Sequence, residues 1–182
     1  VNRDLVELAQ GGDHDAFTAL VLGLGDRLFR VAKLILRDVD QAEDAVQDAL
    51  VRAWRELPRL RDPDRFDAWI RRMVVNACYD TARKQRRRVE VHVLPPAGES
   101  DRSNDLIVRE RLEGAFRRLP VDQRAVLVLH HYIGLSLLEV AEAAGVPVGT
   151  AKSRLHYATR SMRAALDAED RADPGVDRSR WA

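Results

Sequence analysis

GLSLLEVAEAAGVPVGTAKSRLHYATRSMR, residues Gly134 to Arg163, lays out two short helices around a tight turn. Ser136 is placed to cap the first helix, and Glu139 three residues later closes a capping box. Leu138, Ala141 and Ala144 follow at helical spacing. Gly145 stops that helix. Pro147 with Gly149 and Thr150 opens the next, whose Ala151, Leu155, Ala158, Met162 and Leu166 recur every three or four residues. The other face of this second helix carries Lys152, Arg154, Arg160 and Arg163 with no acid between Val148 and Arg163, and Thr150, Ser153, His156 and Tyr157 add hydrogen-bonding groups near its start. In a helix-turn-helix the second helix enters the major groove N-terminus first, so these early side chains would meet base edges or phosphates. An amphipathic helical hairpin with a solvated basic face is the competing reading.

Outward from this stretch, strand signals are nearly absent and the fold class reads as all-α. A helix is expected from about Asp15 to Leu36, with Phe17, Leu20, Leu24, Leu28, Val31 and Ile35 on one face and Gly23 and Gly25 weakening its middle. Asp40 and Glu43 read as a capping box that opens a helix to Leu57, striped by Val46, Ala49, Leu50, Ala53 and Trp54. A longer helix is expected over about Asp64 to Arg88 with Phe66, Trp69, Ile70, Met73, Val74 and Ala77 inward. From Arg88 to Asn104 the period is lost, and Pro95-Pro96 reads as a flexible connection. Helical spacing returns at Val108, and Pro120 starts a helix that Gly134 stops. These signals divide the chain into helical domains over 1–88 and 105–168, a linker over 89–104 and a disordered tail over 169–182.

The 182 residues carry a net charge of only +1, unevenly spread. Val1 to Arg65 holds ten basic and thirteen acidic residues, whereas Phe66 to Glu90 holds seven and three. The second basic surface therefore lies on the long helix, where Arg83, Lys84, Arg86, Arg87 and Arg88 crowd six positions. A cationic last turn complements the helix dipole, yet one or two charges suffice for that; five fit phosphate contacts better. Arg72, Asn76, Arg83 and Arg87 share one face of this helix, with Asn76 able to read a base.

On the helix before it, Asp44, Gln47, Asp48 and Arg52 form a polar ridge. The macrodipole explains Asp44 and explains Asp48 less well; docking of a basic partner is the other reading.

Several chemistries find no support. The single Cys78 excludes an internal disulfide and offers no zinc cluster, and it reads as a small buried hydrophobe. His130 and His131 are adjacent, about 100° apart on a helix, and make a poor metal pair. No phosphate loop or nucleophile elbow is present, so neither an enzyme activity, a cofactor, a metal nor a small-molecule substrate is expected. No apolar run approaches the ~18 residues of a membrane span, and acids interrupt Val1 to Gln10 where a signal peptide would be apolar; a cytoplasmic protein is expected.

Three stretches in order, DQAEDAVQDALVRAW (Asp40 to Trp54), FDAWIRRMVVNACYDTARKQRRR (Phe66 to Arg88) and LPVDQRAVLVLHHYIGLSLLEVAEAAGVPVGTAKSRLHYA (Leu119 to Ala158), together resemble the bacterial extracytoplasmic-function, or group IV, sigma factors. The resemblance covers roughly Asp15 to Leu166. It implies that Asp44, Gln47, Asp48 and Arg52 face the clamp helices of the β′ subunit of core RNA polymerase. It implies that the loop Arg59 to Arg65 before the long helix, with Arg59, Leu60 and Arg61 foremost, and Asn76 hold an unstacked base of the minus-ten element while Arg72, Arg83, Lys84 and Arg87 track phosphates. Thr150, Lys152, Ser153, Arg154, His156, Tyr157 and Arg160 would read the minus-thirty-five element. Promoter DNA and an anti-sigma factor are the other implied partners. The sequence departs from the family's pattern at Leu60, where an aromatic residue is common, and at Tyr157, where arginine is frequent. A helix-turn-helix regulator that binds duplex DNA without polymerase is the alternative; it leaves the acidic ridge and the long basic helix without a role.

Overall fold

The computed structural model describes residues 2–89 and 112–170, and among them every regular element is helical. Eight residues near the start form a helix the sequence reading missed, α1 (Arg3–Gln10), capped by the Asn2 side chain. It is too short for its period to stand out, and only Leu5, Val6 and Ala9 mark its inner face. Its role is to brace: Gln10 donates from Nε2 to the carbonyls of Leu57 (3.2 Å) and Leu60 (2.6 Å), and Arg3 meets Asp64 at 2.9 Å.

Asp13 caps α2 (His14–Leu36) by accepting from the backbone of Asp15 and Ala16. The helix passes unbroken through Gly23 and Gly25, because Leu20, Leu28, Val31 and Ile35 bury a continuous stripe whose packing exceeds the roughly 1 kcal/mol each glycine costs. Arg37, at φ 62, turns the chain in a left-handed conformation, and Asp38 then caps α3 (Val39–Glu56). The expected Asp40 cap is thus corrected by two residues. Asp38 alone has the extended backbone a cap needs, and its carboxylate accepts from Gln41 N at 2.9 Å and Gln41 Nε2 at 3.0 Å.

Two 3-10 turns, Leu57–Arg59 and Pro63–Arg65, hold the loop that leads into α4 (Phe66–Val89). Asp64, expected to start α4, instead lies in the second turn, which Asp62 caps. The connection expected over 89–104 lies outside the described residues apart from Val89, which ends α4. Description resumes with α5 (112–118), followed by α6 (Val121–Leu127), which runs on as a π-helical turn to Tyr132. The helix-turn-helix is then α7 (Leu137–Ala144) and α8 (Val148–Asp170). α8 continues past the expected limit at 168, and the remaining tail lies outside the described residues.

The capping box stands as read. Glu139 accepts from Ser136 N at 2.8 Å and Ser136 Oγ at 2.7 Å, while Ser136 Oγ accepts from Glu139 N at 3.3 Å. Hydrogen bonds from the Ser136 side chain and backbone hold the Glu139 carboxyl below its ordinary value of 4.5. A depressed folded-state pKa contributes stability above the unfolded value and loses it as pH falls through the folded one. Thermal melts should therefore show the cap intact at neutral pH and failing only in acid below the normal glutamate range. Ser136→Ala should cost about 1 kcal/mol at pH 7 and weaken that acid dependence, since the backbone N–H at position 136 still donates to Glu139.

Leu138 was expected inward but is 61% exposed. α7 is sandwiched between α4 and α8 and buries one broad arc, with Val140 and Ala144 at its centre and Ala141 and Ala143 at its two edges, and Leu138 falls outside that arc.

One hydrophobic core joins the two helical domains. Ile35 of α2 and Val74 and Val75 of α4 belong to the same buried cluster as Val126 and Leu129 of the α6 segment and Val140 of α7. α7 lies along α4, and α6 reaches both α2 and α4. Cys78 is fully buried in this cluster, and burial pushes its thiol up to about 12, which leaves no thiolate to react. Among the described residues no helix is long and apolar enough to cross a membrane.

Candidate nucleic-acid interface

The outer face of α4 carries the first surface. Trp69, Arg72 and Asn76 stand three and four residues apart, hence on one face. Two cavities meet along them. One of 330 Å³ is lined by Arg52, Glu56, Trp69, Arg72, Met73 and Asn76, and one of 280 Å³ by Leu60, Arg65, Ala68, Trp69, Arg72 and Glu142. Each is near the small end of the ~300–1000 Å³ range of ligand pockets. Their shared wall combines an indole face with a guanidinium, a pairing that suits a planar base and its phosphate.

Sequence reasoning put Trp69 in the core, and the structure leaves it half-buried at the mouth of both cavities, its ring 5.9 Å from that of the fully buried Phe66. The missed signal was its spacing from Arg72 and Asn76, which the apolar count of α4 obscured. Glu56 was also missed. Of the loop residues named from sequence, Leu60 and Arg65 line the second cavity, whereas Arg59 and Arg61 are exposed and do not line it. Leu60 is held there by the Gln10 hydrogen bond, so its apolar side chain presents a flat wall rather than a stacking ring.

Further along α4, Arg83, Lys84 and Arg87 are exposed. Arg83 leans on Asp80 at 3.3 Å, and Asp80 lies 3.9 Å from Arg52. These exposed pairs are worth at most about 1 kcal/mol and yield readily to a phosphate.

The second surface is the start of α8. Lys152, Ser153, His156, Tyr157 and Arg160 are exposed, with the His156 and Tyr157 rings 5.7 Å apart edge to face. Thr150 is half-buried, and its carbonyl accepts from Ser153 Oγ at 3.0 Å. Arg154 is the exception. It lies about 200° around α8 from both Lys152 and His156, and its Nε meets Asp122 of α6 at 3.0 Å. The turn ahead of α8 is fixed by Gly145 at φ 66, with Val146 N bonded to Ala141 O at 3.0 Å. His130, half-buried, bonds through Nδ1 to the Leu135 carbonyl at 2.7 Å and so braces the approach to α7.

The third surface is the ridge on α3. Asp44, Gln47, Asp48 and Arg52 are all exposed, above a floor of fully buried Ala42, Ala45, Ala49 and Ala53. Val51, 52% exposed, adds an apolar patch beside them. The His14 ring stacks on Trp54 at 4.2 Å and stiffens the far end of the helix.

The two DNA-type surfaces are not independent. Glu142 of α7 meets Arg65 at 2.6 Å, and a Cβ at Gly145 would stand 3.8 Å from Arg72 Nη2 and 3.9 Å from Asn76 Oδ1. The helix-turn-helix thus leans over the very groups of α4 that would contact a base.

Comparison with known proteins identifies the family of both helical domains. The sigma-70 region 2 family matches residues 20–88, and the sigma-70 region 4 family matches residues 109–162. The ECF RNA polymerase sigma factor SigM of Mycobacterium tuberculosis is 34% identical over 157 residues, covering 84% of this chain and 78% of its own. SigW of Bacillus subtilis, also an ECF RNA polymerase sigma factor, is 28% identical over 176 residues, covering 88% and 94%. Among solved structures, CnrH in complex with the cytosolic domain of CnrY aligns with a TM-score of 0.67 at 29% identity, over 91% of this chain and 97% of that one. The sigma factor RpoE of Bartonella quintana, in complex with the anti-sigma factor NepR, aligns with a TM-score of 0.65 at 27% identity, over 83% and 96%.

Proposed function

Since the chain belongs to the extracytoplasmic-function sigma factors of the sigma-70 family, we propose that it binds core RNA polymerase in the cytoplasm through α3 and directs initiation by reading a promoter with α4 and α8. It is a specificity subunit and not an enzyme. The observation that carries the assignment of roles is the run of Trp69, Arg72 and Asn76 along two adjoining cavities, on the same chain as an exposed acidic ridge and a helix-turn-helix.

The division of labour follows from the chemistry. Asp44, Gln47 and Asp48 offer acceptors to a basic helical partner, the clamp helices of β′. Trp69 supplies a face for an unstacked minus-ten base, Asn76 its edge contacts, and Leu60 the opposite wall. Extruding a base costs a few kcal/mol, and capture in a shaped pocket offsets that cost without a nucleotide fuel. Arg72, Arg83, Lys84 and Arg87 follow the phosphates. Lys152, Ser153, His156, Tyr157 and Arg160 face the minus-thirty-five duplex, with Thr150 at the groove edge. Arg154 joins them only if its pair with Asp122 opens. In boundaries, residues 1–88 serve as the minus-ten and polymerase-binding domain and 105–168 as the minus-thirty-five domain.

In vitro transcription with core enzyme over a pooled promoter library tests the reading. Co-migration with core polymerase and promoter-dependent transcripts support it; tight promoter binding with no affinity for core would favour a stand-alone regulator. Asp48→Arg should weaken core binding at moderate salt with no change in melting, since it reverses a charge on an exposed site where stability shifts stay within about 0.5 kcal/mol. Unaltered affinity would move the docking surface off α3. The two DNA surfaces should fail differently: Arg83→Ala should lower affinity for every promoter and flatten the salt slope by about one unit, whereas Lys152→Ala should change minus-thirty-five preference. Gel-shift titrations at several salt concentrations separate the two.

Control belongs to a second protein in this proposal. An anti-sigma factor that covers the Asp44/Asp48 ridge and the Lys152 side of α8 together would block polymerase and promoter at once, and two linked contacts would hold it more tightly than either alone.

A further inference from the structure

Between the α4 end and the second helical domain lies a cavity of about 1200 Å³, distinct from the two beside Trp69. Arg83 and Arg86 of α4, Arg117 of α5, Arg124 of α6 and Arg154 of α8 line it, and Asp122 is the one carboxylate among its described lining residues. Asp122 is already engaged by Arg154, so the wall as a whole is strongly cationic. Arginine presents a planar fork that matches phosphate oxygens two at a time, and here forks converge from four helices.

Two polar atoms in this wall point the same way. Tyr79 Oη and Arg124 Nε are buried without a hydrogen-bond partner among the described residues. A buried donor left unpaired costs about 1–3 kcal/mol, so both are donors in want of an acceptor. Burial and the nearby Arg37 also hold the Arg124 guanidinium below its ordinary value, a cost that a bound anion would relieve. Apart from Gln85, the remainder of the wall is apolar, with Leu36, Ala82, Val121 and Val146, and would accept an uncharged flat group beside the charged one.

We propose that this cavity binds a phosphate-rich anion, of the nucleoside polyphosphate or inorganic polyphosphate class, and that the bound anion clasps the two domains together. Because the lining comes from both domains, the anion binds the packed arrangement and has no complete site once they part. It must then shift the population toward the arrangement in which α7 leans over Arg72 and Asn76. The site sits apart from the promoter-facing side of α8, and Arg117 and Arg124 have no role in the reading of promoter DNA given above. That consequence for promoter binding rests on the sigma-factor reading; the binding itself does not, and it is measured without polymerase.

The test uses the full chain, with tripolyphosphate, ATP and adenosine as probes at fixed ionic strength and without divalent metal. Isothermal titration should show one site for tripolyphosphate and ATP and none for adenosine. ATP binding more tightly than tripolyphosphate would identify a nucleotide seated on the apolar wall, and equal affinity an inorganic chain. The double variant Arg117→Ala/Arg124→Ala should weaken both by about tenfold or more, the loss expected for removing charge-assisted hydrogen bonds, with Arg117→Lys/Arg124→Lys in between. Circular dichroism of each variant checks that the fold is kept. As a second readout, tripolyphosphate should inhibit binding of a single-stranded minus-ten oligonucleotide to the wild type and lose that inhibition in the double alanine variant. Equal affinity and equal inhibition in the two proteins would show that the anion merely occupies the exposed basic end of α4, and would overturn the proposal. So would an absence of binding by the wild type, while transcription with core enzyme would leave the sigma-factor reading standing.

Discussion

Phe66→Ala should be the most damaging single substitution in the chain, costing about 3–5 kcal/mol of the 5–15 kcal/mol that holds a typical domain together. Phe66 is 1% exposed and heads the largest fully buried side chains. It also sits at the corner where the second 3-10 turn becomes α4, so its ring anchors both the helix and the loop that carries Leu60 and Arg65. At ~2–4 °C per kcal/mol for a chain of this size, the thermal midpoint should fall by roughly 6–20 °C. Circular dichroism melts measure it, and a fall of less than about 3 °C would mean that the corner collapses around the missing ring at little cost. Phe66→Leu keeps most of the buried volume and should recover most of the loss.

Trp69→Ala should produce the largest functional loss with a smaller effect on folding, since Trp69 is half-buried and touches the core through one edge. Base stacking on an aromatic side chain is worth about 1–3 kcal/mol, so affinity for a single-stranded minus-ten oligonucleotide should drop roughly 5- to 150-fold. Promoter opening should fail in step, as permanganate reactivity of unpaired thymines would record, while minus-thirty-five duplex binding is kept. Trp69→Phe should restore part of the affinity. An alanine variant that opens promoters normally would return Trp69 to the core role its spacing first suggested.

The contrast between these two aromatic residues shows where sequence reading stops. Both lie on the apolar count of α4, three residues apart, and periodicity gives them the same inward assignment. Which one lines a cavity depends on the loop 57–65 passing over the helix, and that loop is placed by Gln10 of a short helix whose own period is too brief to notice. Arg154 makes the same point from the charged side. Charge alone groups it with Lys152 and His156; its two-residue spacing already turns it about 200° away, and Asp122, thirty-two residues earlier, is the partner that only the fold supplies.

What the sequence determined by itself rests on neighbours three or four positions apart: the helical class, the Ser136–Glu139 capping box, the Gly145 stop, the exposed ridge on α3 and the basic end of α4. Caps, dipoles and stripes are local physics, and they survive in any tertiary setting that buries the apolar stripe. The tertiary structure alone decided that the two domains share one core, that α7 lies over Arg72 and Asn76, and that five arginines from four helices face a common cavity. Those arrangements rest on contacts between residues far apart in the chain, such as Arg65 with Glu142, whose pairing no local spacing encodes because it is chosen by how buried surfaces fit when whole helices meet.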